Sequence, residues 1–327
     1  MPTILNHRID EVQPPLMPVL WSEHIQLEDV QYLIDEVLPR RDLTFLVGIP
    51  KTGKTTLAVQ IAWHVATGTP LWGFRVEQGK VLYVLCRRSD GRPPAIKKAL
   101  QAIGDYPPGS VRIAGPFSGR ATAQDRMSAL RDEVAGNRPD LIIIDLLPGL
   151  DPKMSDPNTY GTLGESLEGL SLLTDKTNAA CLGLYHAPKS WTPEQGAIRA
   201  ISGSVSLAGS CDNAMALASQ KQEGTASLRA EGRNIDGKWE LGFSNGIFAV
   251  DTPDARMQRT VQRVASGVLT DTETEILAIL RESPKSANTI HKALGGRWAT
   301  VATALSVLEC GRHVCKTDDG KRWQVAS

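Results

Sequence analysis

The sequence has no excess of charge: 36 Lys and Arg are balanced by 36 Asp and Glu over 327 residues, a formal net charge of zero. That balance excludes a globally basic nucleic-acid coat and an acidic tail aimed at a basic partner, so any contact with nucleic acid must come from local patches. No apolar run reaches the ~18 residues a membrane-crossing helix needs, so no membrane partner is expected. Met1 to Pro14 lacks the charged-then-apolar pattern of an export signal. Cysteine is scarce and odd in number: Cys86, Cys181, Cys211, Cys310 and Cys315. This reads as reduced thiols in a cytoplasmic protein. Cys310, His313 and Cys315 lie close together, but a zinc finger wants a second ligand pair further on and the sequence offers none. They read as thiols at a helix end and in a strand. Internal repeats and low-complexity tracts are also lacking.

At roughly 100–200 residues per domain, the length suits one large domain and one small one. Residues 1–28 are expected to be an N-terminal extension, 29–252 the large domain, 253–269 a linker and 270–327 the small unit. Asp29 to Val37 carries Val30, Leu33, Ile34 and Val37 at helical spacing and is expected to be a helix ended by Pro39. Short apolar runs follow at Leu43–Val47, Val81–Leu85, Leu141–Ile144 and Ala179–Tyr185, separated by longer mixed stretches. Buried strands alternating with helices imply an α/β fold with a mainly parallel sheet covered on both faces. Beyond residue 213, Asn213–Leu217, Ser227–Glu231, Trp239–Phe243 and Ile247–Val250 are separated by turn residues and read as an antiparallel extension.

Chemistry concentrates first at Gly48-Ile-Pro-Lys-Thr-Gly53-Lys54-Thr55, which fits GxxxxGK[ST] between a strand and a helix. The glycines let the backbone wrap tightly, so that the amides of Pro50's successors Lys51, Thr52 and Gly53, and on to Thr56, face phosphate oxygens. In this motif Lys54 reaches the β- and γ-phosphates of ATP and the Thr55 hydroxyl meets Mg²⁺. Leu141-Ile-Ile-Ile-Asp145 then ends a buried strand on a carboxylate that can join the same Mg²⁺ shell. Leu184-Tyr-His186-Ala-Pro-Lys189 ends the next strand on a polar residue placed to touch a γ-phosphate and report its loss.

Taken together, Leu38–Thr56, Gly79–Leu85, Arg138–Leu147, His186–Lys189, Ile201–Leu217 and Glu231–Asn234 resemble the RecA-like ATPases of the plasmid RepA-helicase type. The resemblance covers about residues 28–250 and implies a RecA-like core. It implies that ATP sits between neighbouring subunits of a homo-oligomer, a hexameric ring or a filament. Single-stranded DNA would lie along axial loops, here 147–161 and 189–203, which carry Lys189, Trp191 and Arg199. An arginine near the core's end, here Arg233, would complete the neighbour's ATP site. Two departures stand out. Where the family has a water-activating glutamate after the second strand, this chain has Arg87, which cannot serve as a base; Asp90 in the same loop is the available substitute. Where the family often has an arginine before Gly203-Ser204, this chain has Ser202, with Arg199 nearby. Both bear on hydrolysis and leave ATP binding untouched.

The small unit reads as three helices, begun by Thr270–Asp271, Ser286 and Arg297, and then a hairpin of His313–Lys316 and Arg322–Val325. That is the winged-helix order. From Arg256 onward it holds eleven Lys and Arg against seven Asp and Glu. Arg297, Thr300 and Thr303 on the third helix, and Lys321 and Arg322 in the wing beside Trp323, are the expected contacts to duplex or forked DNA. The expected function is an ATP-driven helicase-like motor or loader in phage or plasmid replication or repair. The alternative is a weakly hydrolysing, ATP-gated DNA-binding filament or mediator.

Overall fold

The computed structural model describes residues 22, 29–86, 93–155, 163–201, 211–220, 224–251, 264, 267–295 and 298–326. Most of the N-terminal extension, Arg87, Asp90, the Ser202–Ser204 stretch, nearly all of the linker and Arg297 lie outside the described residues.

One nine-stranded sheet organises the large domain. Its strands, with the helices between them, are β3 (Leu43–Gly48), α1 (Lys54–Thr67), β4 (Val81–Leu85), α2 (Pro93–Ile103), β5 (Val111–Ala114), α3 (Ala123–Asn137) and β6 (Leu141–Asp145). Then come α4 (Leu147–Leu150), α5 (Leu163–Thr177), β7 (Ala180–His186), α6 (Ala197–Ala200), β8 (Asn213–Gln220), β9 (Thr225–Gly232), β10 (Asp236–Ser244) and β11 (Ile247–Val250). The spatial order is β11–β10–β9–β8–β3–β7–β6–β4–β5. From β8 to β5 every pairing is parallel; β8 to β11 pair antiparallel. The apolar runs of β3, β4 and β6 are buried along their whole length, as strands covered on both faces must be. Alternate residues feed two cores. Leu46, Tyr83, Leu85 and Ile143 pack on the α1–α2 side. Phe45, Val47, Leu82, Val84 and Ile144 pack with α3 and α5 on the other.

One expectation is corrected. Residues 29–37 are not a helix: β1 (Tyr32–Ile34) and β2 (Leu38–Pro39) form a small antiparallel pair, turned through Glu36 at φ 59°. Leu33, Ile34, Val37 and Leu38 are all buried, and Leu33 and Asp35 hydrogen-bond to Glu77 and Arg75. Tertiary pairing overrides a period read from nine residues. The edge strand β5, only half-buried, has no apolar run that announces it.

The ends of the parallel strands opposite the glycine-rich loop are tied by polar clusters. Buried Arg40 donates to Asn178 O at 2.9 Å and pairs with Glu77 and Asp140, both at 3.2 Å. Asp140 also accepts from the Lys80 amide at 2.8 Å. One guanidinium thus fastens the approaches to β4, β6 and β7. Beside it Asp42 accepts from Asn213 and Asn234, and Asp212 accepts from the Leu43 amide, which sets β8 against β3.

In the C-terminal unit, α7 (Asp271–Glu282) starts at a capping box of Thr270 and Glu273, and α8 (Ala287–Leu294) at the Ser286 cap. After α9 (Trp298–Cys310) come β12 (Val314–Lys316) and β13 (Trp323–Val325), paired antiparallel. Lys285 adds a short third rung to β13. Val264, from the expected linker, is buried in this unit's core.

Arg40→Ala should destabilise the protein by about 2 kcal/mol. That is below the 3–5 kcal/mol of a fully buried pair, because both acidic partners are partly exposed. The thermal midpoint should fall by about 4–8 °C. An unchanged midpoint in calorimetry would show that the strand ends hold together without this residue.

Candidate functional site

Glycine-rich backbone shapes the loop between β3 and α1. Gly53 has φ 105°, a conformation that costs glycine little. A Cβ on Gly48 would come within 2.5 Å of Leu217 O on β8 and 2.9 Å of Thr52 Oγ1, so no side chain fits there. Lys51 completes the turn at φ 71°, with Pro50 exposed beside it. Thr52 is buried and donates to Ile49 O at 3.0 Å. Helix α1 has Gly53 as its N-cap, with no side-chain cap and no acidic residue in its first turn. Its first amides therefore lack intrahelical acceptors and face the loop at the positive end of the helix dipole. This is the geometry that receives phosphate.

Lys54 is only 5% exposed; its ammonium donates to Gly48 O at 2.8 Å and Ile49 O at 3.0 Å. Burial lowers its pKa to about 8, against an opposing pull from Asp145. Thr55 donates its hydroxyl to Asp145 Oδ2 at 2.9 Å. Asp145 is 1% exposed. A third group joins them that the sequence reading did not single out: Tyr83, fully buried on β4, donates to the same Asp145 oxygen at 2.8 Å. Its phenol is pushed well above its usual pKa by burial and then by the Asp145 charge, so it stays a donor. The available signal was a lone hydroxyl in an otherwise aliphatic buried strand, which must find a partner. One carboxylate and one hydroxyl at the loop's mouth are hard oxygen donors of the kind Mg²⁺ takes when phosphates supply the rest. Among the described residues no cluster of three or more His, Cys, Asp or Glu could hold a metal unaided.

His186 lies beside the loop. It pairs in register with Gly48, the Ala187 amide donates to Gly48 O at 3.0 Å, and the imidazole is exposed. Strand β7 separates β3 from β6, so Lys54, Thr55, Asp145 and His186 converge from three neighbouring strand ends where a crevice forms in open α/β sheets. Thr55 and Thr56 also line an apolar pocket of about 210 Å³ with Val59, Ala95, Ile96 and Ala99. On the other side of the loop a wider cleft of about 720 Å³ is lined by Ile49, Thr52, Arg229 and Lys238, but these cations already pair with Glu231 and Glu240.

The remaining expected residues are not gathered here. Arg233 follows β9 at the opposite end of the sheet, roughly 17 Å away along β3 at about 3.3 Å per residue. Its side chain is 79% exposed and 3.6 Å from Asp212. Lys189 and Arg199 are exposed on the segment after β7. Trp191, expected on an axial loop along single-stranded DNA, is instead 8% exposed, packs in the second core and donates Nε1 to Gly196 O at 3.0 Å. A ring committed to the core offers no face to a base. Lys321 and Arg322 are exposed at the β12–β13 turn, with Arg322 3.6 Å from Asp319.

A family profile described as an AAA domain matches residues 9–191, more than half of the chain. No curated protein matches the chain.

Lys54→Ala should weaken ATP binding at least tenfold, since roughly 1.4 kcal/mol is the least a charge-assisted contact supplies; equal affinities in calorimetry would refute the cradle. The lowered pKa sets a pH profile. Below pH 8 Lys54 is charged and ready for phosphate. Above it the free protein loses that proton, which bound phosphate would restore. ATP affinity should therefore fall as pH rises from about 8, by up to tenfold per unit, with proton uptake on binding. A flat affinity between pH 7 and 10 would contradict this.

Proposed function

The chain belongs to the AAA-domain family of P-loop ATPases, and from that premise we propose that it is an ATP-driven, DNA-associated machine of the RepA-helicase type. The observation that carries the ATP part is the Thr55–Asp145 hydrogen bond at the mouth of an amide-lined loop holding Lys54. The phosphates would lie along the loop amides and the Lys54 ammonium, displacing it from the Gly48 and Ile49 carbonyls. The base would rest in the apolar pocket beside Thr56, against the alanines of α2. Mg²⁺ would be held by Thr55 and Asp145 together with phosphate oxygens, and supplies charge neutralisation at the β- and γ-phosphates. His186, level with Gly48, is placed to sense the terminal phosphate.

Lys189 and Arg199 project from the segment that leaves His186, so a change at the phosphate has a direct covalent path to cations that can meet a single strand. The C-terminal unit has a winged-helix order of elements and a cationic wing at Lys321 and Arg322, which suits duplex or forked DNA. By the resemblance the chain would assemble as a hexameric ring or filament, in which Arg233 would meet a neighbour's ATP rather than its own. Arg87 favours a second reading, a slow ATPase that holds an ATP-gated filament, because a guanidinium cannot take the attacking water's proton.

Steady-state ATPase with and without single-stranded DNA separates the two: strong stimulation marks the motor, slow and unstimulated turnover the filament. Lys189→Ala with Arg199→Ala should weaken single-strand binding and flatten its salt dependence by a slope of up to about 0.7 per lost phosphate contact. An unchanged slope would mean that this segment does not touch phosphate. Removing residues 268–327 should instead reduce duplex binding.

A further inference from the structure

Strand β4 reads Val-Leu-Tyr-Val-Leu, aliphatic but for Tyr83. A tyrosine wholly inside a core has an ordinary explanation, that its ring fills space and its hydroxyl finds any acceptor. Here the acceptor is particular. In the β4–β6 register Tyr83 lies opposite Ile143 and Leu85 opposite Asp145, so period-two alternation sends Tyr83 and Asp145 to the same face, as diagonal neighbours within a long side chain's reach. That face carries α1, which brings Thr55 to the same carboxylate. Asp145 Oδ2 thus receives two hydroxyls, Thr55 at 2.9 Å from the phosphate side and Tyr83 at 2.8 Å from the core side.

We propose that Tyr83 is a positioning residue for metal–nucleotide binding, fixing the rotation of the Asp145 carboxylate so that it and Thr55 meet the cation without rearrangement. An ionised carboxylate only accepts, so the phenol must donate. A threonine oxygen that ligates a cation keeps its hydrogen, so both bonds to Oδ2 are compatible with a bound metal. Loss of an outer partner that orients a metal ligand typically costs about 10–100-fold in metal affinity. The inference rests on the ATP reading above and adds to it a residue that touches neither nucleotide nor metal.

The test is ADP binding by calorimetry at rising Mg²⁺, with the parent protein and Tyr83→Phe, which removes one oxygen and keeps the ring. ADP without Mg²⁺ should bind both alike. The Mg²⁺ concentration giving half of the full gain in affinity should rise about tenfold in the variant, the low end of the range for such partners. In an Asp145→Asn background Tyr83→Phe should add no further shift. Coincident Mg²⁺ curves for parent and variant, or a full additional shift in the Asp145→Asn background, would overturn the role of Tyr83 and leave the ATP reading standing. A parent whose ADP affinity ignores Mg²⁺ would overturn both. Thermal unfolding without nucleotide shows whether the Phe variant is folded. A second readout needs no change at position 83: the Tyr83 Cζ resonance of ¹³C-tyrosine-labelled parent should move when Mg²⁺ joins the ADP complex, and an unmoved resonance overturns the proposal.

Discussion

A carboxylate taken out of water must be satisfied where it lies, and Asp145 is the point at which this constraint organises the protein. Unpaired, a buried ion of this kind would be costly. Its partners include Thr55 at the start of α1 and Tyr83 in the middle of β4. The same contacts that make the carboxylate tolerable also fix the spacing between the glycine-rich loop and the strand end. Stability of the sheet's upper rim and readiness for a phosphate ligand are consequently one arrangement.

The sheet has two ends with different tasks. At the end of Gly48, Asp145 and His186, backbone amides and a buried lysine are left facing a crevice. At the other, Arg40, Asp42 and Asp140 with Asn213 and Asn234 saturate one another and hold the strands in register. Register matters because a parallel pairing slipped by one residue would move His186 from beside Gly48 and turn Asp145 away from α1. The polar anchors far from the chemistry are thus what place it.

The segment after β7 links the crevice to the antiparallel extension. Trp191 is sunk in the core, and Glu231 on β9 accepts from the Ala197 and Ile198 amides at 2.9 and 3.2 Å, capping α6. Along this segment Lys189, Ser190 and the Thr192–Gln195 stretch stand out to solvent, with Ile198 and Arg199 beyond them. These contacts tie the loop to the core at one end and to β9 at the other.

Much of this was legible in the order of residues. The glycine-rich motif between a buried strand and a helix declares phosphate chemistry because its backbone amides can wrap around phosphate oxygens in that context. The aliphatic runs of β3, β4, β6 and β7 declare a parallel sheet because only strands covered on both faces are apolar throughout. Thr270, Ser286 and the Asp318–Gly320 turn mark their elements by local hydrogen bonding alone. Residues 29–37 and Trp191 misled for a common reason: the first carries a helical period and the second sits in a polar loop, but burial against distant partners decided both. The lone hydroxyl of Tyr83 announced a partner but not which one, because that depends on a diagonal neighbour 62 residues away. Sequence alone determined which chemistry the chain carries, since that follows from residue type and local spacing. Tertiary structure alone decided which side chains serve it, since that depends on strand order, register and the need of every buried polar group for a partner.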